Sequence, residues 1–156
     1  MIMDDRDVEL WGRLKCAFRD YVVQRIDFVK NPSAISLIQK AFGVPEDRAL
    51  AIELVSLYPN EDRIVFFRQL ISMASYVNGF AEECRDLILD LPRDWVMGNI
   101  EFEIEKMLID GGYEEYRCLL ELCYKLDKNL MTTLARRALD SSDEDIKEAG
   151  EDFLYR

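Results

Sequence analysis

Three groups of side chains in this chain are of the right types, at the right spacings, to do chemistry. Glu101, Glu103 and Glu105 alternate along one stretch, and Glu101 and Glu105 share a helical face. Two such carboxylates can bind a hard cation or act as an acid–base pair. Asp143, Glu144 and Asp145 form a second acidic run, and Tyr113, Tyr116 and Tyr124 with Arg117 make a possible aromatic binding patch. Each group also has a plainer reading. The glutamates suit a solvated helix face partly paired with Lys106. The Asp143–Asp145 run suits the positive end of a helix dipole and lacks the loop spacing and central glycine of an EF-hand. Tyr116, Leu120 and Tyr124 recur at helical spacing, which suits a core stripe. The plainer reading is the expected one in every case.

Exclusions narrow the chemistry further. The chain has no histidine. That removes a histidine general base, a Ser–His–Asp or Cys–His couple, and metal sites that need imidazole. Gly111-Gly112 reads as a helix-ending turn and not as part of a phosphate-cradling loop. The expectation is therefore a protein that is not an enzyme, with no catalytic, cofactor-binding or metal-binding residues and no cofactor. Cys16, Cys84, Cys118 and Cys123 show no C-x-x-C spacing, and each lies in an apolar-periodic segment, so buried free thiols are expected.

The elements that must position these groups follow from composition and periodicity. At 156 residues, 49% apolar and 33% charged, the chain fits one folded domain. No apolar run approaches the roughly 20 residues needed to cross a bilayer. The opening residues, Met1 to Asp7, are acidic and lack a signal-peptide core. A cytoplasmic protein with no membrane association is expected. Net charge is −11 but uneven: residues 1–58 carry eight basic and nine acidic side chains, whereas residues 101–156 carry eight and fifteen. Arg13, Lys15, Arg19, Arg25, Lys30 and Lys40 outnumber Asp20 and Asp27 between them, and Lys125, Lys128, Arg136 and Arg137 form a smaller basic set. An overall charge this negative argues against binding nucleic acid.

From Asp5 to Val29, Leu10, Leu14, Phe18, Tyr21, Val22, Ile26 and Val29 recur at three- and four-residue steps, predicting a long helix with one buried stripe. Asn31-Pro32-Ser33 ends it, with Ser33 able to cap a second helix running to Phe42. Pro45 suits the first turn of a third helix, from Glu46 to about Leu57. Asn60 could cap a segment from Glu61 to Val77 that is apolar on more than one face and so packs on two sides. Asn78-Gly79 predicts a left-handed cap. Helices follow over Phe80–Leu91, from Asp94 as cap to Gly111, over Tyr113–Leu126 and over Lys128–Leu139. Ser142 with Asp145 resembles a capping box for the last helix. The total is about nine helices with no strand. Trp95 joins a core stripe, while Trp11, beside Gly12, is the better candidate for an exposed contact.

The last two helices carry a resemblance. Thr133-Leu134-Ala135-Arg136-Arg137-Ala138-Leu139, an acidic turn, and Asp143-Glu144-Asp145-Ile146-Lys147-Glu148-Ala149-Gly150 resemble a HEAT-type repeat, with Gly150 where alanine is more usual. The resemblance covers some twenty residues. It implies antiparallel helix pairs stacked as a short all-α solenoid, used as an interaction surface. On this reading residues 1–156 are a single all-helical domain, with N-terminal helices over 1–58 and HEAT-like pairs over 60–156. The charged first and last helices suit a capped, complete stack. The expected function is a protein–protein interaction or scaffold module, and the rival is an acidic inhibitor or immunity-type protein that neutralises a basic target such as a nuclease. The expected partner has a basic surface, with a homo-oligomer as an open alternative. Glu144, Glu148, Glu151 and Asp152, together with Trp11, are the candidate partner-binding residues.

Overall fold

The computed structural model describes residues 4–155. Over these residues it is all-helical: nine α-helices, 79% helix and no strand. Three segments predicted as helices, Asp5–Val29, Tyr113–Leu126 and Lys128–Leu139, have those same bounds. Two short 3-10 turns, Pro45–Asp47 and Arg63–Phe66, precede the third and fourth helices. The third helix accordingly begins at Arg48 and not at Glu46. The apolar 61–77 segment is helical in its α-form only over Phe67–Ala74.

The chain forms two compact units, Met1–Leu57 and Tyr58–Arg156. The first holds α1 (Asp5–Val29), α2 (Ala34–Ala41) and α3 (Arg48–Ser56). Here α2 packs against both α1 and α3, and Ala34, Ile38, Phe42, Ala51, Ile52 and Val55 are buried. Helix α1 starts on Asp4, whose carboxylate accepts the Arg6 N–H at 3.4 Å, with Asp5 and Asp7 at the positive end of the dipole. Contrary to the buried stripe expected from its periodicity, α1 contains no buried residue. Leu10, Leu14 and Phe18 are all more than half exposed. Ser33 occupies the cap position of α2, but its hydroxyl makes no capping bond. Instead the Asn31 side-chain oxygen accepts the Ser33 N–H at 2.9 Å.

The second unit holds α4 (Phe67–Ala74), α5 (Ala81–Leu89), α6 (Arg93–Ile109), α7 (Tyr113–Leu126), α8 (Lys128–Leu139) and α9 (Glu144–Leu154). Helix α4 packs against α5, α6 and α7 and buries Phe67, Leu70, Ile71, Met73 and Ala74, which is why its sequence is apolar on more than one face. Helix α6 buries Val96, Ile100, Ile104 and Leu108, one residue per turn. The most extensive packing is between α8 and α9, and α7 packs on both.

Three further turn expectations are corrected. Among the described residues no backbone has positive φ, so Asn78-Gly79 is not a left-handed cap. The Asn78 side chain does the work instead: its amide donates to the carbonyls of Met73 and Tyr76, and its oxygen accepts the Phe80 N–H at 2.8 Å. With the carbonyls satisfied by a side chain, no left-handed residue is needed. Asn60 is not a cap either, since Asp62 precedes the 3-10 turn. Asp94 lies inside the first turn of α6, whose cap position is Pro92.

Candidate functional site

The acidic face of α9 is built from its first residue. Asp143 caps the helix: its Oδ1 accepts the N–H groups of Asp145 at 2.9 Å and Ile146 at 3.3 Å. The cap is therefore Asp143 and not Ser142, because Asp143 has the extended backbone that turns its carboxylate onto the open N–H groups. Ile146, Ala149, Gly150 and Phe153 form the buried side, and Phe153 meets the Tyr124 ring edge-on at 6.3 Å between centroids. On the opposite side Glu144, Glu148, Glu151 and Asp152 are all exposed. At 3.6 residues per turn they fall within an arc of about 100°, so packing of the apolar side fixes where all four carboxylates point.

These four are not equivalent. Asp152 accepts from Arg117 Nη1 at 3.1 Å, tying α9 to α7. Glu144 pairs with Lys147 at 2.6 Å within its own helix. Glu148 and Glu151 have no ion pair among the described residues, which leaves both carboxylates open to an incoming cation. Arg117 also stands over the Tyr113 ring at 5.9 Å. Of the possible tyrosine patch only this pairing forms; the expected core stripe holds for Tyr116 and Leu120, which are buried, but not for Tyr124, which is about half exposed.

The other candidates are mostly engaged within the fold. Glu101 and Glu105 stay on one face and line a cleft with Arg137 of α8, to which Glu105 is salt-bridged. Glu103 turns inward beside Lys106 at 3.2 Å. Among the described residues no group of three histidine, cysteine or acidic side chains is arranged to hold a metal ion. The basic residues are divided in the same way. Arg13 binds Glu9 at 2.5 Å, Arg25 binds Glu53 at 2.5 Å, and Lys125 binds Glu82. Trp11 is 55% exposed on α1, whereas Trp95 lies edge-on to Phe67 at 5.1 Å between centroids.

One polar cluster was not anticipated from the sequence. Arg85 of α5 is 6% exposed, and its Nη1 lies 3.0 Å from Glu82 and 3.2 Å from Glu121 of α7. Hydrogen bonds from Lys125 and then Arg85 hold the Glu82 carboxyl below its usual range. Glu82, Arg85, Glu114, Arg117 and Glu121 line a cleft of about 360 Å³. Three carboxylates face two guanidinium groups there, and Arg85, held by Glu82 and Glu121, staples α5 to α7. The signal in the sequence was an arginine standing in the apolar rhythm Ala81, Cys84, Arg85, Ile88, where only a paired charge can be buried.

The described helices include none long and apolar enough to cross a membrane. No family model, curated protein or solved structure matches the chain.

Proposed function

We propose that this chain is a non-enzymatic, HEAT-like helical module that binds a protein with a basic surface through the acidic face of α9. One observation carries the reading: Glu148 and Glu151 are exposed, without an ion pair among the described residues, and set on a helix whose opposite side is buried against α7 and α8. Charge fixed on a packed scaffold selects and steers a partner at little ordering cost. A cytoplasmic setting suits the four unpaired thiols. The acidic inhibitor that covers one basic target rests on the same face and differs in how many partners it has and how tightly it holds them.

The test is a tagged pull-down from the source cell at low and moderate salt, run in parallel with the Glu148→Lys/Glu151→Lys variant. A basic protein captured by the native chain, lost as salt rises and lost in the variant, is the expected result. A single stoichiometric partner favours the inhibitor, and several weaker ones favour the scaffold. Capture that the variant leaves unchanged, or recovery of nucleic acid in place of protein, overturns the reading.

A further inference from the structure

We propose that α1 is a self-association helix that pairs antiparallel with α1 of a second copy of this chain. Its N-terminal half carries a stripe with the spacing of a packed helix that the described residues leave open: Leu10, Trp11, Leu14 and Phe18 are 52%, 55%, 59% and 62% exposed. Further along, Tyr21, Arg25 and Phe28 line a groove with Leu50 and Leu54 of α3, and Arg25 binds Glu53 at 2.5 Å. The same helix is thus anchored to its own unit at one end and bare at the other.

Charge along α1 identifies the occupant. Residues 4–12 hold Asp4, Asp5, Asp7 and Glu9 against Arg6, a net −3. Residues 13–30 hold Arg13, Lys15, Arg19, Arg25 and Lys30 against Asp20 and Asp27, a net +3. Two copies in parallel would set like charge on like. Two copies antiparallel, crossing near Leu14, lay the acidic end of each along the basic stretch of the other and bring the two apolar stripes together. An isologous contact of this kind closes on itself as a two-fold dimer. Half-exposed side chains of this size offer about 100 Å² each. With their flanks, the pair buries roughly 1,000 Å² in total, at the low end of specific interfaces. The dimer is therefore dissociable and sensitive to salt.

The experiment is sedimentation equilibrium of the full chain at a series of concentrations up to about 100 µM, above a micromolar Kd. The native chain is expected to shift with concentration from 18.3 kDa toward twice that mass, less readily at high salt. Leu14→Glu/Phe18→Glu replaces exposed residues, so it should keep its helical circular dichroism while remaining monomeric. Asp5→Lys/Glu9→Lys should weaken the dimer at least tenfold, and adding Lys15→Glu/Arg19→Glu to it should restore the dimer, because only an antiparallel pair regains complementarity from a swap within one helix. A native chain that stays monomeric throughout overturns the proposal. So does a dimer indifferent to Leu14→Glu/Phe18→Glu, or a fourfold swap that fails to restore pairing. The α9 face takes no part, so this result is independent of the basic-partner reading.

Discussion

Gly150 of α9 faces Ala135 of α8 so closely that a methyl group at Gly150 would stand 2.6 Å from the Ala135 carbonyl oxygen and 2.9 Å from the Ala138 Cβ. Glycine here is a packing requirement. In an isolated helix, Gly150→Ala would gain about 1 kcal/mol from propensity. In this fold a backbone carbonyl must move to admit the methyl group, and overpacking of this kind costs about 1–3 kcal/mol. Gly150→Ala is therefore expected to lower stability, read as a lower urea midpoint with an unchanged slope. A raised midpoint would show that α8 and α9 are not held this close.

Arg85 and Glu121 test the link between α5 and α7. Glu121→Ala leaves a buried guanidinium with one carboxylate fewer and should destabilise by about 1–3 kcal/mol. Arg85→Met removes the charge together with its need for partners and should cost less. Urea unfolding of both variants and of the double variant gives the coupling. A double variant equal to the sum of the singles would mean that the 3.2 Å contact contributes nothing.

Capping assigns different roles to two neighbouring residues. Asp143→Ala should cost about 1 kcal/mol through loss of the bonds to Asp145 and Ile146. Ser142→Ala, which touches no cap, should stay within about 0.5 kcal/mol of the native chain. Thermal melts followed by circular dichroism compare them directly. The reverse order would return the cap to Ser142.

The thiols divide three to one. Cys84, Cys118 and Cys123 are buried, and Cys16 is exposed, contrary to the burial expected for all four. Cys16 departs from the others because α1 has the apolar rhythm of a covered helix but contains no buried residue. Burial pushes the Cys84 and Cys123 thiols up to about 12 and raises that of Cys118. A thiol-reactive dye should therefore label one cysteine in the folded chain and four in denaturant. The pH dependence has a definite sign. Thiols of the unfolded chain ionise from about pH 8.5 while those in the fold stay protonated. Their contribution is complete below that pH and is lost as pH rises toward 12. Cys123→Ala should flatten the fall in melting temperature over this window.

The helices are written in local sequence. Period-3.6 patterning and local stop signals act within a few residues, so α1, α7 and α8 were legible to their ends, and so was the acidic stripe of α9, which needs only helical geometry. Turn details were less legible, because Asn78, Asn31 and Asp143 compete with their neighbours for the same open backbone groups, and small differences in backbone angle decide between them. Tertiary structure alone decided which apolar faces are covered, and periodicity is silent on that point. The stripe of α1 has the rhythm of a core helix, yet Leu14 and Phe18 stand in solvent. Tertiary structure also brought Arg85 to Glu121, 36 residues away, and Gly150 to Ala135. Contacts of that kind depend on how helices cross, which is set by side-chain volumes on two elements at once and so is written in neither one alone.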